Sequence, residues 1–236
     1  MVVRHHQIDF ASGALVFPGG KVDAGDSAVA AWCDGADGLS ERDIAMRAGA
    51  IREAFEECGI LLARPVGSNE LVDGARLRDL DVSRDRLHDG EISLLAFLER
   101  EQLRLAFDTL TRYSHWITPD MMPKRFDTDF FLATAPPDHV AIHDGHESVD
   151  SIWIRPEDAL SGAADGTYTV IFPTRLNIEM LAEATDVAEA MAQAAARRIV
   201  TVLPVTEQRS DGNYIVIPKD AGYRVSEEKM ERPASR

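Results

Sequence analysis

Only two cysteines, Cys33 and Cys58, occur in 236 residues. That is too few for a disulfide framework in a chain of this length, so a reducing, cytoplasmic setting is the expectation. Long apolar runs are also missing. Nothing approaches the roughly 18 consecutive apolar residues of a membrane-spanning helix, and no charged-then-apolar leader opens the chain, so no membrane partner is expected. Basic residues are scarce beside acidic ones, 25 Lys and Arg against 40 Asp and Glu, for a formal net charge of -15. This balance argues against a broad basic footprint for DNA or RNA. Small anionic substrates stay compatible, because bound cations reverse the field of an acidic site. Hydrophobic residues make up 45% of the chain, enough for one sizeable core, and no repeat or low-complexity linker divides it. Residues 1–236 therefore read as one domain. "MVVRHH" reads as the end of a strand with nothing ahead of it, so a short or truncated chain start is expected.

"GALVFPGG", Gly13 to Gly20, is a short strand breaking into a Pro-Gly-Gly turn. Ser40 with Asp43 reads as the N-cap of a helix from Glu41 to Glu57 that stops at Gly59. Ile44, Ala48, Ile51 and Phe55 recur at steps of three and four and give that helix a buried face. "AVAAWCDGADGL" ahead of it is ambiguous between short helix and loop. From about Asn69 to Tyr113 the chain is rich in charge and leucine, and "ISLLAFLEREQLRLAFDTL" reads as helix, an elaboration between sheet elements. It is expected either to cap a site or to form an oligomer contact, as in a homodimer. "RFDTDFFLAT" reads as a strand, and "SVDSIWIRPEDAL" as a strand running into a helix opened by Pro156. Pro173 opens an alanine-rich helical region to about Arg198, broken near Thr185 and Asp186. Two strands follow around an Asp-Gly-Asn turn. Strands interleaved with helices indicate a layered α/β or α+β domain, with Trp116 and Trp153 expected in its core.

The unusual feature lies in "IREAFEECGI", Ile51 to Ile60. Glu53, Glu56 and Glu57 stand at i, i+3 and i+4, so their carboxylates project from one side of a helix and repel unless a cation sits among them. Hard divalent cations take several such oxygens. Arg52, four positions before Glu56, is placed to pair with it. The plainer reading, a solvated charged face, is open at this point. "HDGHESVD" offers His143, His146 and Glu147, but without the spacing or cysteines of a zinc site, and reads as a surface loop.

"PGGKVDAGD" followed by "REAFEECGI" resembles the signature of the Nudix hydrolases: glycine, five residues, glutamate, seven residues, then REUxEExGU with U aliphatic. Gly20, Asp26, Arg52, Glu53, Glu56, Glu57, Gly59 and Ile60 fall in that order. Asp26 stands where the family has glutamate, Ala54 takes one aliphatic position, and Ser27 to Ile51 interrupt the box. "GALVFPGGKVDAGD", "HWITPDMMPKRFDTDFFLA" and "WIRPEDAL" extend the resemblance from about Val2 to Leu181. They point to the branch related to the peroxisomal acyl-coenzyme A diphosphatase.

The resemblance implies a Nudix-type α/β/α sandwich with a mixed sheet. On it would sit an insertion in the box at about 27–44, a helical insertion at about 69–113 and a C-terminal extension at about 199–236. It implies Mg2+ or Mn2+ held by Glu53, Glu56 and Glu57, with Arg52 orienting and Asp26 as an accessory acid. Gly19 and Gly20 would shape the substrate loop, and the general base would be Glu53 or Glu147. Arg125 has two readings, a hold on a substrate phosphate or a pair with Asp127 or Asp129. The implied reaction is cleavage of a small nucleoside diphosphate derivative, coenzyme A or acyl-coenzyme A, to 3',5'-ADP and (acyl-)4'-phosphopantetheine. Asp9 stands where a coenzyme A signature has arginine, which keeps ADP-ribose or NADH as an alternative substrate. A noncatalytic nucleotide sensor on the same fold is the alternative of another class.

Overall fold

The computed structural model describes residues 1–4, 13–120, 122, 124–141 and 148–230. In chain order the elements open with β1 (Val2–Arg4), β2 (Leu15–Val16), a 3-10 segment (Asp26–Trp32), β3 (Cys33–Asp34) and α1 (Glu41–Cys58). Then come β4 (Ala63–Pro65), α2 (Gly74–Asp79), α3 (Asp81–His88), α4 (Leu94–Glu101), β5 (Leu103–Ala106), β6 (Thr111–Ile117) and β7 (Asp127–Leu132). The chain continues through β8 (Ser148–Ser151), α5 (Pro156–Ala164), α6 (Phe172–Leu181), α7 (Val187–Ala196), β9 (Thr201–Val202), β10 (Val205–Arg209), β11 (Gly212–Val216) and β12 (Glu227–Lys229).

Among the described residues the strands group as β2-β1-β8, β3-β5-β4, β7-β6-β9 and β10-β11-β12. Two of these groups are mixed: β3 runs parallel to β5 while β4 is antiparallel to it, and β9 runs parallel to β6 while β7 is antiparallel.

The β2-β1-β8 sheet is covered on both faces because its side chains alternate. Val2 and Val16, cross-strand partners, pack with Ala54, Cys58 and Ile60 at the end of α1. The next pair, Val3 and Leu15, packs on the opposite face with Ala159 of α5 and Ile178 of α6. Helix, sheet and helices form the expected α/β/α layering.

α1 forms where its sequence signals place it. The Ser40 side chain accepts from the Asp43 amide, and Gly59 closes the helix at φ 70°, a left-handed turn that glycine adopts without a Cβ clash. Ile44, Ala48, Ile51 and Phe55 are all buried. They join one large core with Leu77, Leu80, Leu87, Phe97 and Leu98, so the helices after β4 pack directly on α1. Phe55 stacks on Phe97 at 5.6 Å between ring centroids.

Two expectations are corrected. The helix read through "ISLLAFLEREQLRLAFDTL" ends at Glu101, where Gln102 turns left-handed at φ 52° and the chain becomes β5. Leu103, Leu105 and Ala106 are fully buried there, so sheet pairing overrides a helical local preference. Trp116 is buried as expected, but Trp153 is 64% exposed. Its neighbours Ile152 and Ile154 both turn into the α5 and α6 core, which leaves the intervening indole facing away from it.

Candidate functional site

The Pro-Gly-Gly turn after β2 crosses α1 at close range. A Cβ on Gly20 would lie 2.4 Å from Glu53 Oε2, so only glycine lets the loop descend onto that carboxylate in its present position. The Gly19 amide donates to Glu57 Oε2 at 2.8 Å. Further along, a Cβ on Gly49 of α1 would sit 3.1 Å from Asp26 Oδ2, another close passage of loop over helix.

Arg52 organises what lies beneath the loop. It is 5% exposed. Its Nε donates to Asp26 Oδ1 at 3.0 Å, Nη2 to Asp26 Oδ2 at 3.1 Å and to the Lys21 carbonyl at 2.7 Å, and Nη1 to Glu56 Oε2 at 2.9 Å. Glu53 Oε1 lies 3.0 Å from Nη1 and Asp23 Oδ2 3.9 Å from Nη2. One guanidinium is thus shared by four carboxylates, and its fork geometry holds Asp26 through two parallel bonds. The Asp23 amide in turn donates to Asp26 Oδ2 at 2.8 Å.

Burial narrows the readings of the glutamate cluster. Glu56 and Glu57 are only 6% and 4% exposed, which removes the solvated-face reading. Burial raises the Glu56 carboxyl above its ordinary range, while Arg52 beside it pulls the other way. The low-dielectric surroundings penalise the carboxylate more than the shared guanidinium relieves it.

Hard oxygen donors of this kind suit a small divalent cation. In this conformation Glu56 turns to Arg52 and Glu57 to the Gly19 amide. Among the described residues no three His, Cys, Asp or Glu side chains converge on one point in ligating geometry. The donor chemistry fits a metal, and the carboxylates would rotate to take it.

The other residues singled out from the sequence fall elsewhere. Arg125 Nη1 pairs with Asp120 at 2.7 Å and Nε donates to the Thr118 carbonyl. The expected pairing with Asp127 or Asp129 is taken instead by Arg42, which reaches both, and by Arg112 on Asp129. Glu147, with His143 and His146, lies outside the described residues.

Sequence reasoning missed Asp23, Gly49 and Arg84. Arg84 of α3 is 7% exposed and donates Nε and Nη2 to the Glu56 carbonyl at 3.0 and 2.8 Å. Its signal was available: Leu77, Leu80, Arg84 and Leu87 follow one another at the spacing of a buried helical stripe.

A family model described as the NUDT19 Nudix domain matches residues 35–181, more than half of the chain. The chain belongs to the Nudix family. Among curated relatives, it is 26% identical to putative nudix hydrolase 7 of Caenorhabditis elegans over 79% of this chain and 56% of that protein. It is 27% identical to the human acyl-coenzyme A diphosphatase NUDT19 over 79% of this chain and 52% of that one. The chain thus spans about half the length of the curated relatives it matches. A crystal structure of a Nudix hydrolase from Alicyclobacillus acidocaldarius superposes with a TM-score of 0.65 at 26% identity, covering 81% of this chain and 86% of that one. The matched segment of this Nudix chain contains α1 and its glutamates together with the helices packed on it. No helix among the described residues is long and apolar enough to cross a membrane.

Proposed function

We propose that this Nudix chain is a metal-dependent diphosphatase that cleaves coenzyme A or an acyl-coenzyme A to 3',5'-ADP and the corresponding 4'-phosphopantetheine. The observation that carries the reading is the set of Asp26, Glu53 and Glu56 around the buried Arg52, with the buried Glu57 on the Gly19 amide and Gly20 passing close over Glu53. The substrate rests on the relatives named acyl-coenzyme A diphosphatase.

Glu53, Glu56 and Glu57 would hold Mg2+ or Mn2+. Bound there, such an ion lowers the pKa of water and neutralises phosphate oxygens. The residues around it have separable tasks. Arg52 fixes Asp26 through two hydrogen bonds and compensates the charge of Glu56 in this conformation, so the carboxylates are gathered in one place before substrate arrives. Glu53, close beneath Gly20, would accept the proton of the attacking water. Gly19 and Gly20 let the diphosphate approach without a Cβ in the way. Arg125, paired with Asp120 and the Thr118 carbonyl, would have to exchange the Asp120 carboxylate for a substrate phosphate to take part. The 69–113 insertion, whose helices build the core with α1, belongs to the same domain under this reading.

Glu56→Gln tests it. Turnover of coenzyme A with Mn2+ falls by orders of magnitude while far-UV circular dichroism is unchanged; near-normal turnover would remove Glu56 from the site.

A further inference from the structure

Glu56 is held at both ends by buried arginines. Arg52 takes its carboxylate, and Arg84, reaching over from α3, takes its main-chain carbonyl with two donors. The carbonyl lies in the last turn of α1, beyond those of Ala54 and Phe55, which accept from Ile60 and Gly59 as the helix closes. Carbonyls at this end lack the amides of a following turn and carry the negative end of the helix dipole. A guanidinium giving two hydrogen bonds to one such oxygen both satisfies it and fixes its direction.

We propose that Arg84 is a positioning residue for the metal carboxylates: by clamping the Glu56 carbonyl it sets the twist of the last turn of α1, and with it the directions in which Glu56 and Glu57 leave the backbone. Consecutive side chains on one turn are aimed by the backbone that carries them. A rotation of that turn moves both carboxylates together. The helices after β4 therefore do more than fill space. They bring to the Nudix helix a buttress that the signature motif itself does not contain. Arg76 of α2, by contrast, spends its guanidinium on Glu101 within the same insertion and serves as the control.

The inference rests on Glu56 and Glu57 being metal ligands, and the experiment separates the two. Mn2+ binding to the full chain is titrated by electron paramagnetic resonance without substrate, for wild type, Arg84→Met, Arg84→Lys and Arg76→Met. Loss of a partner that orients a ligand costs about 10- to 100-fold in metal affinity, and that is the loss expected for Arg84→Met. Arg84→Lys, which keeps the charge but not the fork, falls between it and wild type, and Arg76→Met stays within about twofold. In turnover assays the half-saturating Mn2+ concentration rises in the Arg84 variants, while KM for substrate at saturating Mn2+ does not. Should Arg84→Met fail to fold, the lysine variant decides. A folded Arg84 variant that binds Mn2+ like wild type overturns the positioning role and leaves the metal site standing. Wild type without Mn2+ affinity overturns both.

Discussion

Arg52 and Asp26 meet through two hydrogen bonds, Nε to Oδ1 at 3.0 Å and Nη2 to Oδ2 at 3.1 Å, with both side chains buried. The interrupted signature is closed in space by this contact. The residues from Ser27 to Ile51 do not push Asp26 away. They fold into a 3-10 segment whose Val29 is fully buried in the core shared with α1, into β3, which pairs with β5, and from Glu41 onward into α1 itself. A loop closure of that length costs little more entropy than a short one.

Removing the guanidinium strands several buried carboxylates at once. Arg52→Met is expected to cost about 3–5 kcal/mol of stability, the usual range for breaking a buried ion pair from one side. Urea unfolding measures it; a midpoint equal to wild type would show that the carboxylates find other partners.

Gly20→Ala should separate stability from function. The atom its Cβ would meet is the end of the Glu53 side chain, which can swing aside, so the thermal midpoint is expected to change little. Glu53 then leaves its position, and kcat falls by about 100-fold or more if it is the base. Equal kcat in the variant would mean that Glu53 tolerates displacement.

Neither cysteine is available as a nucleophile. Burial pushes the Cys58 thiol up to about 11 and the Cys33 thiol up to about 12, and both thiols donate to main-chain carbonyls within their own segments. The thiolate is the reactive form, so iodoacetamide at neutral pH should label no cysteine in the native protein and both after unfolding. Native labelling of either one would contradict the burial.

Acid should destabilise the protein through particular pairs. Hydrogen bonds from Arg64 hold Asp108, and one from His115 holds Asp127, below the ordinary aspartate range. A carboxyl depressed in the folded state contributes its stability fully above the unfolded value, near pH 4, and loses it as pH falls through the depressed one. Both side chains are about half exposed, 49% and 55%, so solvent screening keeps each effect small. Stability measured by denaturant at a series of pH values should decline below about pH 4, with a shallower decline in Asp108→Asn; an unchanged slope in that variant would remove Asp108 from the account.

Much of this was legible in the sequence because the signals are local. Ser40, Gly59 and the stripe from Ile44 to Phe55 state the ends and the buried face of α1 within a few turns, and the i, i+3, i+4 glutamates mark the side of it that carries the clustered acids. β5 was not legible, since "LRLAF" continues a helical pattern with no glycine or proline to break it, and only its pairing with β3 and β4 makes it a strand. The exposure of Trp153 was hidden for a similar reason, because which of the alternating residues beyond β8 faces a core is fixed by the packing against α5 and α6. The family pattern gave Asp26 as an accessory acid of the box and paired Arg52 with Glu56; the contact of Asp26 with Arg52 across the interruption is a tertiary fact. The hold of Arg84 on Glu56 likewise joins two helices that sequence spacing alone does not bring together.

The central claim is best tested by presenting the purified protein, with Mg2+ and with Mn2+, with coenzyme A, an acyl-coenzyme A, NADH and ADP-ribose, and identifying products by mass. Metal-dependent release of 3',5'-ADP and a 4'-phosphopantetheine from the coenzyme A substrates is the result expected. Turnover of only NADH or ADP-ribose would contradict the substrate, and no turnover of any compound with either metal would contradict the diphosphatase itself.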